Sequence, residues 1–215
     1  MKPAIQRFLG ALTLAALGPA LAACPAPNPV ALPDFSTPAG DLAGADFSTV
    51  CTYPKGPYGT ATNSVIANLG FQIKRNAMGA AAAINLGDIH CNSDIKVLAI
   101  LVSAEWCLPC QAEQPELVQA YTDYTSAKKG VAFVEFIVQN NDHSAGDAAT
   151  LDRWASHFKI NFDMGVDANS ALAPYYDANN FPSEMVIQTS DMTIQAARKG
   201  YEKGWLKTQI DGLLP

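Results

Sequence analysis

Residues 106–110 read Trp106-Cys107-Leu108-Pro109-Cys110, and the predicted architecture follows from what flanks them. Directly before them runs the apolar segment Lys96 to Val102, and directly after them runs Gln111 to Val118, whose sequence is typical of a helix. A run this rich in Val, Ile and Leu is typical of a strand buried on both faces of a parallel sheet. In open α/β sheets the chemistry lies beyond the carboxyl ends of such strands, so the two cysteines occupy the position expected of an active site.

The three-residue spacing of Cys107 and Cys110 has a direct physical meaning. Residues i and i+3 share one helix face with β-carbons roughly 5–6 Å apart, and local adjustment brings that distance within range of a disulfide. Cys107 is predicted at the helix N-terminus, where unpaired N–H groups and the helix dipole favour a thiolate. Pro109 fits the first turn, where its missing N–H costs little. We therefore predict a pair that cycles between dithiol and disulfide, with Cys107 as the nucleophile nearer to solvent and Cys110 as the resolving thiol.

Trp-Cys-x-Pro-Cys after an apolar strand resembles the redox motif of the thioredoxin fold. More narrowly, it is similar to the motif of the envelope thiol–disulfide oxidoreductases and redoxins of the TlpA and ResA type. Pro115, five residues after Cys110, matches the kinked first helix of that family. The resemblance implies an α/β fold, with a central mixed sheet flanked by helices and an N-terminal β-extension. The alternative for a lone Cys-x-x-Cys is an inert disulfide or half of a zinc site.

One domain is predicted over residues 53–215, and its segments follow the thioredoxin order. Hydrophobic periodicity supplies most of the element boundaries, with apolar residues at helical spacing marking the helix before the hairpin. After the redox helix, the predicted elements are a strand at 131–138, helices at 147–158 and 170–176, a hairpin of 185–188 with 193–197, and a closing helix at 205–213. The β-extension is expected at 65–73 and at 81–86, the latter a weak strand or a short helix.

Phe181-Pro182 precedes the predicted hairpin. In the family that the redox motif resembles, a cis-proline at this point packs against the cysteines and presents backbone polar groups to a bound peptide. The resemblance therefore implies a cis Phe181–Pro182 bond, and it makes Trp106, Pro109, Phe181 and Pro182 the residues that shape the site. The alternative is a trans proline that starts a strand.

The chain departs from many thioredoxins at one position. The resemblance would place a buried aspartate six residues before the first cysteine, and Leu101 stands there instead. Glu135, which interrupts the strand after the redox helix, is a candidate proton relay in its place. The alternative is that Glu135 is a tolerated or ion-paired acid at a strand end. Glu105, beside Trp106, is expected to be a solvated residue near the site.

Residues 1–23 are predicted to be a signal peptide of the lipoprotein type. A positively charged start is followed by the apolar stretch Phe8 to Ala23, which is too short and too interrupted for a membrane span. The stretch ends in Leu21-Ala22-Ala23-Cys24, which resembles a lipobox in which Cys24 becomes the acylated first residue. The alternative is ordinary cleavage with Cys24 incidental. Either interpretation places the protein outside the cytoplasm, where disulfides persist.

Residues 24–52 form a Pro- and Ala-rich linker, whose composition cannot bury enough surface to offset its ordering entropy. Cys51 and Cys91 belong neither to the lipobox nor to the redox motif, and in an oxidising compartment they are predicted to form a structural disulfide. The functional alternative is a second redox pair that relays electrons.

Charge and motif content narrow the possible ligands. A formal net charge of −6, with no basic run after the signal, argues against nucleic acid and against electrostatic binding to anionic lipids. His90, His143 and His157 do not pair with a cysteine at metal-ligand spacing, so no metal site is predicted. Gln111 follows Cys110, which excludes the Cys-x-x-Cys-His motif of haem attachment. The expected cofactor is therefore the redox dithiol itself.

We accordingly expect an exported, lipid-anchored thiol–disulfide oxidoreductase that faces the periplasm or the cell exterior as a monomer. Its partners would be cysteine-containing envelope proteins and an upstream redox partner. One alternative is a thiol peroxidase of the peroxiredoxin type, which needs a Thr-x-x-Cys-like site with an arginine for peroxide. Another is a non-catalytic lipoprotein that binds a metal such as copper. Residue types alone do not set the direction of electron flow.

Overall fold

A seven-stranded mixed sheet forms the centre of the protein, which we describe from a computed structural model covering residues 51–215. The strands are β1 (Gly70–Lys74), β2 (Ala81–Asn85), β3 (Val97–Ala104), β4 (Val131–Gln139), β5 (Asp163–Gly165), β6 (Ser183–Gln188) and β7 (Thr193–Lys199). The helices are α1 (Leu86–His90), α2 (Leu108–Ser126), α3 (Ala148–Phe158) and α4 (Trp205–Asp211), with 3₁₀ turns at Arg75–Ala77 and Ala173–Tyr175. The strand order is β2-β1-β5-β4-β3-β6-β7.

Strand β3 is the most deeply buried element, with all eight of its residues buried. It pairs in parallel with β4 and antiparallel with β6, so it has a neighbour on each side within the sheet. An uninterrupted apolar strand is what a position covered on both faces requires. This confirms the α/β fold with a mixed sheet that the sequence predicts, and it places the residues after Ala104 at the carboxyl end of the central strand.

The N-terminal β-extension consists of β1 and β2, which pair antiparallel with each other, while β1 also pairs antiparallel with β5. The strand predicted from Val65 to Ile73 is corrected, because regular pairing begins only at Gly70. Within 65–69 the chain instead makes isolated contacts, such as the Leu69 carbonyl accepting from the Leu86 N–H at 2.9 Å. Hydrophobic content alone does not show which residues of such a run find a partner strand.

The short helix α1 follows β2 directly. The sequence predicts one element at 81–86, a weak strand or a short helix, whereas the structure has a strand that ends at Asn85 and a helix that begins at Leu86. Asn85 caps this helix: its side chain accepts from the Asp88 N–H at 3.1 Å, and the Asp88 carboxylate accepts from the Asn85 N–H at 2.8 Å. This reciprocal capping box ends the strand and starts the helix within one residue.

Helix α3 is amphipathic, and its buried face includes Leu151, Trp154 and Ala155 at the spacing that predicted a helix at 147–158. Asp147 begins it by accepting from the Thr150 N–H at 2.8 Å. The helix predicted at 170–176 is instead a 3₁₀ turn at Ala173–Tyr175, with a proline in its first turn. Within residues 51–215 no helix has both the length and the apolar character needed to cross a bilayer.

Candidate active site

The redox motif lies at the carboxyl end of β3, where Cys107 is the N-cap residue of α2 and Cys110 lies in its first turn. The two cysteines form a disulfide with their α-carbons 5.3 Å apart. The Cys107 sulfur also accepts a hydrogen bond from the Cys110 backbone N–H at 3.1 Å. A sulfur in the N-cap position receives one of the otherwise unpaired N–H groups of the helix, which stabilises a negative charge on it.

Both sulfur-bearing residues are buried, with 2% of Cys107 and 0% of Cys110 exposed. The expectation that Cys107 lies nearer to solvent therefore holds only by a small margin. Between them, Leu108 is 74% exposed and Pro109 is also exposed. The exposed surface of the motif is therefore formed by these two residues rather than by the cysteines.

Trp106 is held from three directions next to Cys107. Its indole N–H donates to the Gln139 side-chain oxygen at 2.9 Å. Its ring lies 4.8 Å from the His143 ring and 5.9 Å from the Phe181 ring, measured between centroids. These contacts fix the ring beside Cys107.

Glu105 is buried, which corrects the expectation of a solvated residue. Its carboxylate accepts from Arg153 Nε and Nη2, each at 2.8 Å, and from the Asn141 backbone N–H at 3.1 Å. The Arg153 guanidinium lowers the pKa of Glu105 below its ordinary value. This ion pair ties α3 and the turn after β4 to the residue that precedes Trp106.

The Phe181–Pro182 peptide bond is cis, as the resemblance implies. Ser183 follows it directly and pairs with Val102 of β3, so the proline lies beside the end of the redox strand. The Pro182 carbonyl accepts from the Gly200 N–H at 2.7 Å, and Phe181 packs on Tyr176 with ring centroids 5.7 Å apart. The loop before β6 is thus fixed against the redox end of the sheet.

Glu135, the candidate proton relay, is fully buried in β4 and has three side-chain donors. Ser103 Oγ and Gln114 Nε2 donate to Oε1 at 2.8 Å each, and Trp154 Nε1 donates to Oε2 at 3.2 Å. Burial raises its pKa to about 7, although the three donors pull the value in the opposite direction. Gln114 Nε2 also donates to the Cys110 carbonyl at 3.1 Å. The Gln114 side-chain amide therefore bridges the Glu135 carboxylate and the backbone of α2.

Glu113 and Glu184 form a second buried acidic site that sequence analysis missed. Only 2% of Glu113 and 1% of Glu184 is exposed, and within residues 51–215 both oxygens of Glu113 and Oε2 of Glu184 have no hydrogen-bond donor. Burial, followed by the neighbouring Glu184 charge, raises the pKa of Glu113 well above its ordinary value. Burial also raises the pKa of Glu184. Burial and the proximity of the two acids therefore favour the neutral, protonated form of each carboxyl group.

This pair lies directly behind the redox disulfide. Glu113 is one turn after Cys110 on the buried face of α2, which places their β-carbons about 5–6 Å apart. Glu184 is in β6, two residues after Pro182. The i+3 spacing of Glu113 from Cys110 was the available sequence signal. The sequence gives no such signal for Glu184, because the predicted strand starts at Met185 and leaves Glu184 outside it, whereas β6 starts at Ser183.

The second disulfide, Cys51–Cys91, lies at the opposite end of the sheet. Cys91 is the C-cap residue of α1. The neighbouring His90 Nδ1 contacts the Thr189 carbonyl at 2.7 Å. Thr189 directly follows the end of β6, which pairs with the start of β3. The eight residues of β3 span about 26 Å, so the two disulfides lie near opposite ends of a long strand. This placement favours a structural role for Cys51 and Cys91 over direct exchange with the redox pair.

The signal peptide and the lipidated Cys24 both lie outside residues 51–215, as does nearly all of the linker. In the part of the chain that the structure describes, no group of three or more His, Cys, Asp and Glu side chains is arranged to hold a metal ion.

The fold and the site together define a thioredoxin-like α/β protein with a Cys-x-x-Cys disulfide at the carboxyl end of its central strand. The chain belongs to the AhpC/TSA family, whose sequence pattern matches residues 71–197. No match to a curated protein is found.

Solved structures of two kinds share the fold. A Chlorobium tepidum protein named as a thiol:disulfide interchange protein DsbE is 15% identical with a TM-score of 0.55, covering 72% of this chain and 99% of its own. A thioredoxin family thiol:disulfide interchange protein from Chlorobium tepidum TLS is 16% identical with a TM-score of 0.52, covering 74% and 98%. The reduced 2-Cys peroxiredoxin of Plasmodium vivax is 12% identical with a TM-score of 0.56, covering 71% and 81%. At such identities the likeness shows the fold alone.

Proposed function

We infer that the protein is a thiol–disulfide oxidoreductase in which Cys107 attacks a client and Cys110 resolves the product. The observation that carries this inference is the N-cap position of Cys107, whose sulfur accepts the Cys110 N–H while Cys110 is enclosed one turn further in. A helix N-terminus stabilises a thiolate on the first cysteine and leaves the second protected from outside reagents.

The reaction balances without a further cofactor. The Cys107 thiolate attacks one sulfur of a client disulfide, the client S–S bond breaks, and the released client thiolate takes up a proton. The mixed disulfide is then attacked by Cys110, which frees the second client sulfur and forms the Cys107–Cys110 disulfide. Two electrons pass from the protein dithiol to the client, and the reverse sequence oxidises a client dithiol.

Glu113 is the group best placed to handle the Cys110 proton. Cys110 must lose a proton before it attacks, and Glu113 lies one turn away on the same buried helix face. Because burial raises the pKa values of both Glu113 and Glu184, this pair is a stronger base than an ordinary carboxylate and is suited to accept that proton. Glu135 contributes differently: through Gln114 it holds the Cys110 carbonyl, so the proposed relay from Glu135 is less direct than one through Glu113.

Two alternatives make different demands on the site. A peroxidase needs an arginine at the attacking sulfur, whereas Arg153, on the wall of a cleft beside the redox motif, has its Nε and Nη2 committed to Glu105. A copper carrier needs further ligands beside the cysteines, and His143 is stacked on Trp106. The geometry around Cys107 therefore favours disulfide exchange.

The discriminating experiment compares two oxidants of the reduced protein. Wild-type protein is mixed with a disulfide-bonded test protein and, separately, with hydrogen peroxide, and the loss of Cys107 and Cys110 thiols is followed by rapid alkylation. We expect fast exchange with the protein disulfide and peroxide rates no greater than those of an ordinary thiol. The opposite order of rates would favour the peroxidase, and a tightly retained metal without exchange would favour the carrier.

We further infer export and anchoring through Cys24, with cysteine-containing envelope proteins as clients and an upstream redox partner that resets the dithiol. The lipobox-like sequence and the dependence of the second disulfide on an oxidising compartment support this placement. Mass spectrometry of the mature N-terminus should find acyl chains on Cys24. A mature chain that starts beyond Cys24 would contradict lipid anchoring.

A further inference from the structure

A cleft of about 500 Å³ opens beside the redox pair. It is lined by residues from both sides of the redox motif, from the turn after β4 and from α3: Glu105, Gln111, Asn141, Arg153, Trp154, Ser156, His157 and Phe158. Gln111 links the cleft to the nucleophile, since its backbone N–H donates to the Cys107 carbonyl at 3.1 Å. Its side-chain amide donates to the Glu105 carbonyl at 2.8 Å. The cleft therefore begins one helical turn, about 5–6 Å, from Cys107.

The single carboxylate in the lining is already satisfied. Glu105 Oε1 accepts from Arg153 Nε, and Oε2 accepts from Arg153 Nη2 and the Asn141 N–H. The ion pair cancels the two charges within the cleft wall. Glu105 consequently has little capacity left to bind a cationic or donor-bearing ligand.

The lining offers several hydrogen-bond donors that no acceptor in the described part of the chain occupies, of which Arg153 Nη1 can act only as a donor. Among residues 51–215, no partner is found for Arg153 Nη1 or for the side chains of Asn141, Ser156 and His157, and all four residues are exposed. A guanidinium, an amide, a hydroxyl and an imidazole in one wall suit an oxygen ligand that accepts several hydrogen bonds at once. A carboxylate is the common group with that property.

An apolar surface adjoins these donors. The Trp154 and Phe158 rings lie 4.6 Å apart, and the His157 ring packs edge-on against Phe158 at 4.5 Å, measured between centroids. Asp147, a further acid that acts on Arg153, is outside the lining and accepts two hydrogen bonds from Thr150 at 2.8 Å each. The cleft therefore fits a short aliphatic stem that ends in a carboxylate.

We propose that this cleft selects redox substrates that carry a carboxylate close to the reacting sulfur, as a glutamate two residues from a cysteine does. Two extended residues span about 6.6 Å, which matches the distance from Cys107 to the start of the cleft. This inference rests on the proposed function, because it names the substrate class of the same redox pair. A protein client and a small carboxylate-bearing thiol offer the same chemistry, and the test separates them.

The test measures how fast the reduced full-length protein is oxidised by different disulfides. Dimers of end-capped peptides carry Glu, Gln or Lys two residues before or after a single cysteine, and oxidation is followed by stopped-flow tryptophan fluorescence. A charge-assisted contact in the transition state predicts that the Glu peptide reacts about tenfold faster than the Gln and Lys peptides. Glutathione disulfide and the carboxylate-free cystamine form the small-molecule arm.

Variants connect any preference to the cleft. The double variant Ser156→Ala with His157→Ala removes two exposed, unpartnered donors, and Arg153→Lys removes the Nη1 donor while keeping a cation for Glu105. Each should reduce the Glu preference, taken as the ratio of the Glu rate to the Gln and Lys rates of the same variant, to about threefold or less. Ser126→Ala, an exposed hydroxyl lost at the far end of α2, is the matched control and should keep the full preference.

The outcomes separate the proposals. Equal rates for all peptides, or a Glu preference that survives in both cleft variants, overturn the carboxylate site and leave the oxidoreductase function intact. No exchange with any disulfide overturns the function and this site with it. A preference among peptides alone assigns the site to protein clients, whereas a matching preference for glutathione disulfide over cystamine extends it to small thiols.

Discussion

The Cys51–Cys91 disulfide joins two exposed residues at one end of the sheet, and the Cys107–Cys110 disulfide joins two buried residues at the other. Exposure would suggest that the first is the reactive one. The local backbone indicates the reverse, because only Cys107 has its sulfur at the N-cap of a long helix, 19 residues in length. Reactivity of a disulfide depends on what stabilises the thiolate released from it, more than on how much of the bond is visible.

The loops that the two disulfides close differ as strongly. Cys51 and Cys91 are 40 residues apart, whereas Cys107 and Cys110 are 3 apart. In the chain-entropy model the long loop stabilises the fold by about 4 kcal/mol and the short loop by about 2 kcal/mol. One bond thus contributes mainly to stability, and the other can open and close at little cost to the fold.

Removing the proposed nucleophile of the Cys107–Cys110 disulfide is expected to have the largest effect. Cys107→Ser should lower the rate of disulfide exchange by a factor of about 10³ or more, because no other thiol occupies the N-cap. Cys110→Ser keeps the nucleophile and loses the resolving step, so it should accumulate covalent complexes with envelope proteins that a reductant releases. Complexes on Cys107→Ser, or none on Cys110→Ser, would reverse or remove the assigned roles.

Removing the other disulfide tests the structural end. Cys51→Ser with Cys91→Ser should lower the free energy of unfolding by about 3–4 kcal/mol, measured by urea denaturation with the redox pair kept oxidised. Exchange activity at a temperature well below the transition should stay within about twofold of wild type, since the two disulfides lie near opposite ends of β3. A large loss of activity in a folded double variant would show that Cys51 and Cys91 take part in electron transfer.

The buried pair Glu113 and Glu184 lies only near the Cys107–Cys110 disulfide, and it should make stability depend on pH. Its raised pKa values mean that the pair favours the native state most below the ordinary value of 4.5, and that this contribution is lost as pH rises through the folded-state values. Glu113→Gln should therefore raise the free energy of unfolding at pH 8 by about 1–3 kcal/mol and have little effect at pH 4. Urea denaturation at both pH values measures this.

The same substitution should slow the chemistry while it stabilises the fold. Without Glu113 the Cys110 proton loses its nearest acceptor, so resolution of the mixed disulfide should slow by about tenfold or more. Asp123→Asn is the control, since it removes an exposed acid near the far end of α2. Equal effects of the two substitutions on resolution would argue against a role for Glu113 as proton acceptor.

His143 provides the smallest and most local test. His143→Ala should loosen Trp106 by removing the ring stacked 4.8 Å away, at a cost of about 0.5–1 kcal/mol, and should change the fluorescence difference between oxidised and reduced protein. His143→Phe restores the stacking and should restore that difference. His157→Ala, a histidine on α3 that does not contact Trp106, should leave the signal as in wild type.

Local sequence was sufficient to predict the features that depend on neighbours in the chain. The apolar run of β3 and the Cys-x-x-Cys spacing led to the central strand and the helix N-terminus, and α3 followed from its periodicity. The cis Phe181–Pro182 bond came from resemblance to a family, because no local pattern distinguishes it from a trans bond.

Features that depend on distant partners were not predicted. Glu105 was expected in solvent because its partner Arg153 is 48 residues away and belongs to a different element. Glu113 and Glu184 meet only when α2 packs near β6, and each looks like an ordinary acid in its own segment. Sequence periodicity identifies buried faces by their apolar residues, so it does not detect a carboxylate that lies on a buried face.

Redox cycling of the two disulfides within the same molecules tests the central claim most directly. Wild-type protein is taken through repeated turnover with a client disulfide and a reductant, thiols are trapped at intervals with isotopically distinct alkylating reagents, and peptide mapping reports each cysteine. Label should alternate on Cys107 and Cys110 while Cys51 and Cys91 stay joined throughout. Cycling of Cys51 and Cys91, with Cys107 and Cys110 unlabelled, would contradict the account.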